Sequence, residues 1–219
     1  ERGTTLTARW DEHDGTSGQL HARVDLPEGH ESVNVVIPWS DKRFQFTSKH
    51  NTRPATGTVR VGGRSWAVAA ESDAWGVQDL GRGIWPYSNR WNWASASGHG
   101  TDGRLLGLQF GGKWTIGTGA TENALCIDGR LTKISDELEW TYDWANPMAP
   151  WRVRTPGSDQ VDATLTPSFD RYDVTDLKVL RMEVHQCFGT WAGRVVGDDG
   201  VPVSFEGVRG FAEEARNKW

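Results

Sequence analysis

The chain has 219 residues, of which 37% are hydrophobic and 24% are charged, so it can bury a core and is not a disordered tail. Its formal net charge of −5 argues against binding to nucleic acid, which requires a clustered excess of basic residues. No apolar run approaches the roughly 18 residues that a membrane-spanning helix needs, and no signal-peptide pattern opens the chain. We therefore expect a folded protein without a membrane span and without a nucleic-acid partner.

Two residue types are unusually abundant. The 26 glycines, together with 9 prolines, indicate many turns. The 13 tryptophans are more than a core of this size requires, and they predict large aromatic walls somewhere in the fold.

From the first residues onward, polar and apolar residues alternate with the period of two that is typical of strands. Gly62-Gly63 lies at the tip of one predicted hairpin and indicates a tight primed turn. Strand-like stretches recur roughly every 10 to 15 residues, which is typical of an antiparallel sandwich or barrel, so we predict an all-β protein. In chain order, strands are predicted at 4–10, 19–26, 32–39 and 44–47, and hairpins at 58–68, 127–131 and 195–201.

Helical patterns are nearly absent. The best candidates for short helices are residues 176–184 and 212–218. The chain has no βαβ rhythm, which excludes Rossmann-type folds and (β/α)8 barrels. A soft domain boundary is predicted near residues 69–73, between two groups of strands.

The two cysteines, Cys126 and Cys187, cannot form a disulfide framework and belong to no CxxC motif. Buried free thiols are one interpretation, and a single disulfide is the alternative. The six histidines are scattered without metal-ligand spacing, so we expect neither a metal site nor a cofactor. A reducing, cytoplasmic compartment is the corresponding expectation.

The densest group of chemistry-bearing residues runs from Trp75 to Trp93. Trp91 and Trp93 are spaced to face one side of a strand, and their rings offer apolar area and π faces that stabilise a cation. Asp79 is a candidate catalytic carboxylate in this segment. The alternative is that the indoles fill a barrel interior and that Asp79 pairs with Arg82 for structural reasons only. The candidate ligand-binding residues here are Arg82, Trp85, Tyr87, Trp91 and Trp93.

Glu122 and Asn123 interrupt what then becomes an apolar strand. A carboxylate beside apolar and aromatic surface has its pKa raised by desolvation, which suits a general acid. Glu122 is therefore a candidate catalytic residue and Asn123 a candidate ligand-binding residue. The alternative is that Glu122 is a charge at a strand end, paired with an arginine or a lysine.

His185 and Gln186 lie together in an alternating strand. His185 is either a catalytic residue or a structural histidine, and Gln186 is a candidate for binding the ligand. The basic turn Lys49-His50-Asn51 either binds an anionic group or is simply solvated.

Several motifs of the chain occur in a recognisable order, among them Pro38-Trp39-Ser40, Asp79–Tyr87, Trp91-Asn92-Trp93, Thr121–Ala124 and His185–Gly189. With them, essentially the whole chain resembles the bacterial domain-of-unknown-function 2804 family. Members of that family are typically longer, so we expect the chain to correspond to their C-terminal two thirds. The family has no established activity that the resemblance could carry over.

The family is distantly similar to the carotenoid 1,2-hydratase group, which is built of paired lipocalin-like barrels. Enzymes of that group add water to an isoprenoid double bond or close rings through cationic intermediates. The resemblance implies an antiparallel lipocalin-like, calycin-type β-barrel over residues 71–219, preceded over 1–70 by strands of a second, incomplete barrel or sheet. No catalytic residue transfers by motif, because the chain does not reproduce that group's own signature.

Three functional hypotheses follow. In the first, the protein is a lyase, hydratase or cyclase in which Glu122 or Asp79 protonates a small, largely apolar or amphipathic ligand between aromatic walls. In the second, the barrel carries or senses such a ligand without chemistry. In the third, it acts on carbohydrate through tryptophan stacking surfaces and paired carboxylates. The first two hypotheses differ in whether Asp79, Glu122 and His185 converge on one cavity.

Overall fold

The computed structural model describes residues 2–219, and its regular structure consists of fifteen antiparallel β-strands and one short 3-10 turn at Ala70–Ser72. Six strands form a first sheet around the 19-residue strand β4, which pairs with β2, β3, β5 and β6 along different parts of its length. These strands are β1 (Gly3–Asp11), β2 (Ser17–Asp25), β3 (Val33–Ser40), β4 (Arg43–Val61), β5 (Arg64–Val68) and β6 (Trp75–Ile84).

The other nine strands form a second sheet in the order β10-β9-β8-β7-β15-β14-β13-β12-β11. They are β7 (Ser88–His99), β8 (Leu105–Gly112), β9 (Asn123–Ile127), β10 (Arg130–Ile134), β11 (Glu139–Thr141), β12 (Trp151–Arg154), β13 (Val161–Asp176), β14 (Arg181–Val196) and β15 (Pro202–Lys218). Within the described chain, β10 and β11 do not pair with each other, so the sheet is a curled, open half-barrel. The fold is therefore all-β, antiparallel and lipocalin-like, as predicted.

The main hydrophobic core lies on the inner face of this curled sheet. Alternate residues of neighbouring strands point to the same face, so the sheet can bury one row of side chains per strand. Fully buried members include Leu108, Phe110, Trp151, Leu165 and Trp191. Because side chains fill this inner face, a cavity for a ligand has to lie outside it or at the ends of the strands.

The two predicted helices are wrong. Residues 176–184 cover the end of β13, a turn and the start of β14, and residues 212–218 lie within β15. β15 is hydrogen-bonded to β7 on one side and to β14 on the other, and this pairing overrides a weak local helical pattern. No helix in the described residues is long and apolar enough to cross a membrane.

The two sheets meet along the chain at residues 85–87, which connect β6 to β7. The boundary expected near residue 70 falls within the first sheet, between β5 and β6. Division of the chain into 1–70 and 71–219 stays a prediction. Both cysteines are buried and free, and Cys126 lies near Thr52 of the first sheet, at a sulfur–oxygen distance of 3.3 Å.

Candidate functional site

The first sheet contributes a row of polar side chains to a cavity between the two sheets. Gln45, Thr47 and Lys49 alternate along β4, so they point to the same face. Asp79 of β6 lies directly opposite Lys49 in the strand register. Three of these four residues are buried, and Asp79 is partly exposed at the rim.

The second sheet contributes a matching row. Glu213 of β15, Trp93 of β7 and Gly111 of β8 follow one another across the sheet in register. Glu122, the residue before β9, continues this row because its side chain lies over Gly111: a β-carbon at Gly111 would be 2.2 Å from its Cγ. Gly111 is therefore the position that makes room for the Glu122 carboxyl group.

Between the two rows lies a cavity of about 150 Å³. It is lined by three carboxyl groups, one ammonium group, two neutral polar side chains and four indoles. These belong to Asp79, Glu122, Glu213, Lys49, Gln45, Thr47, Trp85, Trp91, Trp93 and Trp114. The volume is below the roughly 300–1,000 Å³ that is typical of a pocket for a drug-sized ligand, so the cavity can hold only a small compound or one end of a larger one.

Lys49 connects the two sides of the cavity. Its Nζ lies 2.8 Å from Oδ2 of Asp79 and 3.5 Å from Oε2 of Glu122. The same nitrogen is 4.0 Å from the ring centroid of Trp93, a cation–π distance. Thr47 Oγ1 donates a 2.9 Å hydrogen bond to Oδ1 of Asp79, so both Asp79 oxygens have a donor.

Glu122 is 2% exposed, and its two oxygens have different surroundings. Trp114 Nε1 donates a 2.6 Å hydrogen bond to Oε1. Oε2 has no hydrogen-bond partner among the described residues, and the Lys49 ammonium lies 3.5 Å from it. Burial raises the pKa of Glu122 above its usual value, although the charge of Lys49 and the bond from Trp114 act in the opposite direction.

Glu213 is also buried, and burial raises its pKa. Unlike Glu122, it accepts a hydrogen bond at each oxygen: Trp91 Nε1 donates to Oε1 at 2.9 Å, and Gln186 Nε2 donates to Oε2 at 2.7 Å. Both oxygens are thus engaged by the protein. Glu213 is held in place by both bonds, whereas Glu122 has one oxygen without a hydrogen bond.

The indoles form a continuous cluster at one side of the cavity. Trp85 is at its centre, with ring centroids 4.9 Å from Trp39, 5.4 Å from Trp114 and 5.5 Å from Trp91. Trp39 lies outside the cavity lining and donates a hydrogen bond from Nε1 to the Trp114 carbonyl oxygen. The cluster gives the cavity a rigid aromatic wall.

Five of the residues proposed from the sequence line this one cavity: Asp79, Glu122, Trp85, Trp91 and Trp93. Gln186 does not line the cavity, but its side chain donates a hydrogen bond to Glu213, which does. The partner of Asp79 is Lys49 rather than Arg82.

Three other predicted ligand-binding residues lie away from the cavity. Arg82 alternates with Gly81 and Gly83 and is exposed on the opposite face of β6. Tyr87 is exposed, and its hydroxyl donates to the Val179 carbonyl oxygen. The Asn123 side chain is buried and structural, because it bonds the backbone nitrogen of Gly111 and the carbonyl oxygen of Asp136.

His185 is not brought to this cavity. It follows the strand alternation: Gln186 faces Glu213, so the neighbouring His185 faces the inner side of the curled sheet. There its Nδ1 lies 2.7 Å from Oδ2 of Asp170, and its ring stacks on Tyr172 at 4.6 Å. Asp170 is also near Cys187, and burial and this carboxylate raise the pKa of that thiol to about 12.

Sequence reasoning did not assign a role in this cavity to Lys49, Thr47, Trp114 and Glu213. Lys49 was considered only as part of a basic turn, but it lies within β4 and is 7% exposed. The alternation of Gln45, Thr47 and Lys49 is the signal that could have placed them on one buried face. For Glu213, only the pairing of β15 with β7 shows that it lies beside Trp93.

Comparison with known proteins identifies the fold and the family. Kievitone hydratase from Nectria haematococca has a similar structure, with a TM-score of 0.52 and 13% identity over 98% of this chain and 64% of that one. A protein described as AttH from Nitrosomonas europaea aligns with a TM-score of 0.44 and 15% identity over 95% of this chain and 67% of that one. This chain thus spans less than two thirds of the kievitone hydratase structure.

No functionally curated protein matches the chain. A family model described as a domain of unknown function, DUF2804, matches residues 1–219. The chain therefore belongs to the DUF2804 family.

Proposed function

We propose that the cavity between the sheets receives one end of a small, largely apolar molecule, and that Glu122 protonates it in a lyase-type reaction that adds water to a carbon–carbon double bond or removes it. One observation carries this proposal. A carboxyl group that is almost completely buried lines a cavity walled by indoles and has one oxygen without a hydrogen-bond partner.

The balance of charge in the cavity supports a protonated Glu122. Three carboxyl groups face one ammonium group, so a single positive charge cannot compensate all of them. Lys49 is closer to Asp79, which is partly exposed and also receives the Thr47 hydroxyl, so the Lys49 ammonium is engaged mainly by Asp79. The two buried carboxyl groups, Glu122 and Glu213, are then the ones that hold a proton. Of these two, only Glu122 has an oxygen without a hydrogen bond.

The hydrogen bonds also indicate where that proton lies. Oε1 of Glu122 accepts the Trp114 indole N–H, so it acts as the carbonyl oxygen of the acid. The hydroxyl is then on Oε2, which has no hydrogen-bond partner in the protein. A ligand atom could take the proton without displacing any existing hydrogen bond.

The aromatic wall suits a reaction that develops positive charge on carbon. Indole is the best of the aromatic rings at stabilising a cation, by about 2 kcal/mol when the pair is desolvated. The ammonium of Lys49 already lies over Trp93 at 4.0 Å, so this ring is accessible to a cation. Trp85 and Trp91 offer further ring surface in the same cavity.

The proposed hydration has three steps. The proton on Oε2 of Glu122 bonds to one alkene carbon and uses the π electrons, which leaves positive charge on the other carbon. A water oxygen bonds to that carbon, and the proton it releases passes to the carboxylate of Asp79. Lys49, which contacts both acids, then gives a proton to Glu122 and takes one from Asp79, which restores the starting state. Dehydration is the same sequence in reverse.

The same geometry gives less support to action on carbohydrate. Sugar rings stack on exposed indole faces along an open groove, whereas here Trp85 packs against four other indoles. A non-catalytic carrier remains as an outcome of the experiment below.

The proposal can be tested by infrared spectroscopy of the protein at neutral pH. We expect a carbonyl stretch of a protonated carboxylic acid that disappears in Glu122→Gln and persists in the matched variant Glu213→Gln. A wild-type spectrum without a band that depends on Glu122 would overturn the general-acid role.

Catalysis is then tested by incubation with a panel of isoprenoid and aryl alkenes in water labelled with ¹⁸O. We expect a labelled alcohol with the wild type and none with Glu122→Gln. If the Glu122 band is present but no alkene is labelled, hydration is overturned and a carrier role replaces it.

A further inference from the structure

A second space between the sheets, a groove of about 400 Å³, lies next to the cavity. Its lining is mostly apolar and aromatic, with hydroxyl groups on one side. The residues that matter here are Trp75 and Val77 of β6, Ser95 of β7, Phe188 of β14, and Arg209 and Phe211 of β15.

The groove and the cavity are lined by the same faces of the same strands. Because side chains two residues apart share a face, a strand can line both spaces in succession. Val77 and Asp79 do so on β6, Trp93 and Ser95 on β7, and Phe211 and Glu213 on β15. The two spaces therefore follow one another along three strands.

An aromatic contact lies between them. The rings of Trp93 and Phe211 meet edge to face, with centroids 4.8 Å apart. Trp93 lines the cavity, and Phe211 lines the groove. A rotation of one of these side chains would join the two spaces into one of several hundred Å³, within the usual range for a small-molecule site.

Two residues that line the groove each have a buried polar atom without a hydrogen-bond partner. Ser95 Oγ and Trp75 Nε1 are both inaccessible to solvent and form no hydrogen bond with the protein. Buried donors without partners are rare in folded proteins and require an explanation. The Ser95 hydroxyl can turn toward the groove by rotation about its Cα–Cβ bond, and a ligand acceptor atom there would then provide its missing partner.

The groove also has an unpaired cation at its edge. Among the described residues, no carboxylate pairs with Arg209, which is exposed. The acidic residue of the groove, Asp73, is already engaged by His99 at 3.0 Å. An anionic group of a ligand would thus meet a free guanidinium rather than a free carboxylate.

We infer that the groove binds the body of an elongated, largely apolar carboxylic acid, whose carboxylate lies at Arg209 and whose far end enters the cavity beside Glu122. Arg209 and Glu213 are four residues apart on β15, so the groove and the adjoining edge of the cavity together extend about 13 Å along this strand. This inference rests on the proposed function, because it names the substrate class of the same site: an unsaturated acid with its double bond remote from the carboxylate.

Dodecanoate is a suitable probe because it spans this distance, and 1-dodecanol is its uncharged counterpart. Binding is measured by isothermal titration calorimetry. We expect Arg209→Gln to weaken the binding of dodecanoate by about tenfold, which is the effect of losing one charge-assisted hydrogen bond. The same variant should leave the affinity for 1-dodecanol unchanged. Arg194→Gln, which removes an exposed arginine of β14 outside both spaces, should change neither affinity.

Side chains that fill the groove should weaken the binding of both compounds. Ser95→Leu fills it from the second sheet, and Val77→Phe fills it from the first sheet at a position that is 43% exposed, where folding is not at risk. If the wild type binds neither compound, or if neither filling variant weakens binding, the inference is overturned. Equal weakening by Arg209→Gln and Arg194→Gln would overturn the placement of the carboxylate.

These outcomes are separable from the failure of the proposed function. Binding that depends on the groove, combined with an infrared spectrum without a protonated Glu122, would refute only the acid chemistry. A protonated Glu122 combined with no binding would refute only the groove.

Discussion

The carboxyl group of Glu122 occupies the space that a β-carbon on Gly111 would need. Such a β-carbon would lie 2.2 Å from both Cγ and Oε1 of Glu122, far inside van der Waals contact. The two residues lie on neighbouring parts of the second sheet, and one hydrogen bond from the Gly111 nitrogen to Asn123 fixes their relative position. The site therefore depends on the absence of a side chain as much as on the presence of one.

Gly111→Ala should displace Glu122 and lower the free energy of unfolding by about 1–3 kcal/mol, the usual cost of overpacking. Urea denaturation measures this loss. Gly63→Ala is the matched control, because a β-carbon there meets no atom within 4 Å, and its effect should stay within about 0.5 kcal/mol. In Gly111→Ala/Glu122→Ala the clash is gone, so an additive loss in the double variant would contradict the steric explanation.

Glu122 should also shape the pH dependence of stability. Burial raises its pKa in the folded protein, so the folded state holds a proton that the unfolded chain releases near its ordinary pKa of about 4.3. The free energy of unfolding should therefore fall as the pH rises above that value, and level off above the raised pKa.

Glu122→Gln removes this contribution, so its free energy of unfolding should fall less over the same pH range. Part of the fall should remain, since burial also raises the pKa of Glu213 and Glu137. Urea denaturation of both proteins from mildly acidic to mildly alkaline pH makes the comparison. Parallel pH profiles for the two proteins would show that Glu122 does not titrate as expected.

Replacement of Lys49 should change the protonation of Glu122 in a defined direction. The Lys49 ammonium is a charge that lowers the pKa of Glu122, so Lys49→Met should raise this pKa further. The infrared band of the protonated carboxyl should then persist to higher pH than in the wild type. Lys42→Met, at an exposed turn, should leave the titration unchanged, and a downward shift in Lys49→Met would contradict the assignment.

The inner face of the curled sheet contains a separate polar network around Tyr142. Its hydroxyl lies 2.5 Å from Oε2 of Glu214 and 2.5 Å from the Lys113 ammonium, and its ring stacks on Trp151 at 4.0 Å. Tyr142→Phe keeps the stacking and removes these bonds beside a carboxyl group that is 1% exposed. We expect a loss of about 1–3 kcal/mol in the free energy of unfolding, measured with urea.

The exposed Tyr172, with one hydroxyl bond to Glu183, provides the comparison for this loss. Tyr172→Phe should cost no more than about 0.5 kcal/mol. Equal effects of the two substitutions would argue against a network that stabilises the fold at Tyr142.

His185 belongs to this inner face and not to the cavity. We therefore expect His185→Gln to leave both the Glu122 infrared band and the dodecanoate affinity unchanged. Its contacts with Asp170 and Tyr172 are local, so any effect should be on stability alone. A change in the Glu122 band in this variant would show a coupling across the sheet that the contacts do not predict.

The amino-acid sequence by itself determined the strand content and much of one wall of the site. Alternation with a period of two is a local property, so it identified the strands and placed Trp91 and Trp93 on one side of β7. The same rule places His185 and Gln186 on opposite faces of β14, so both could not face one cavity, and the structure bears this out for the two side chains.

Only the tertiary structure decided which carboxyl groups meet. The strand register brings Lys49 beside Asp79 and Glu213 beside Trp93, and register between distant strands depends on packing that no local pattern encodes. The prediction of a helix at residues 212–218 was wrong for the same reason, because the backbone of β15 forms its hydrogen bonds with β14 and β7. The chemistry of the site thus follows from residues far apart in the chain that the folding of two sheets against each other brings into contact.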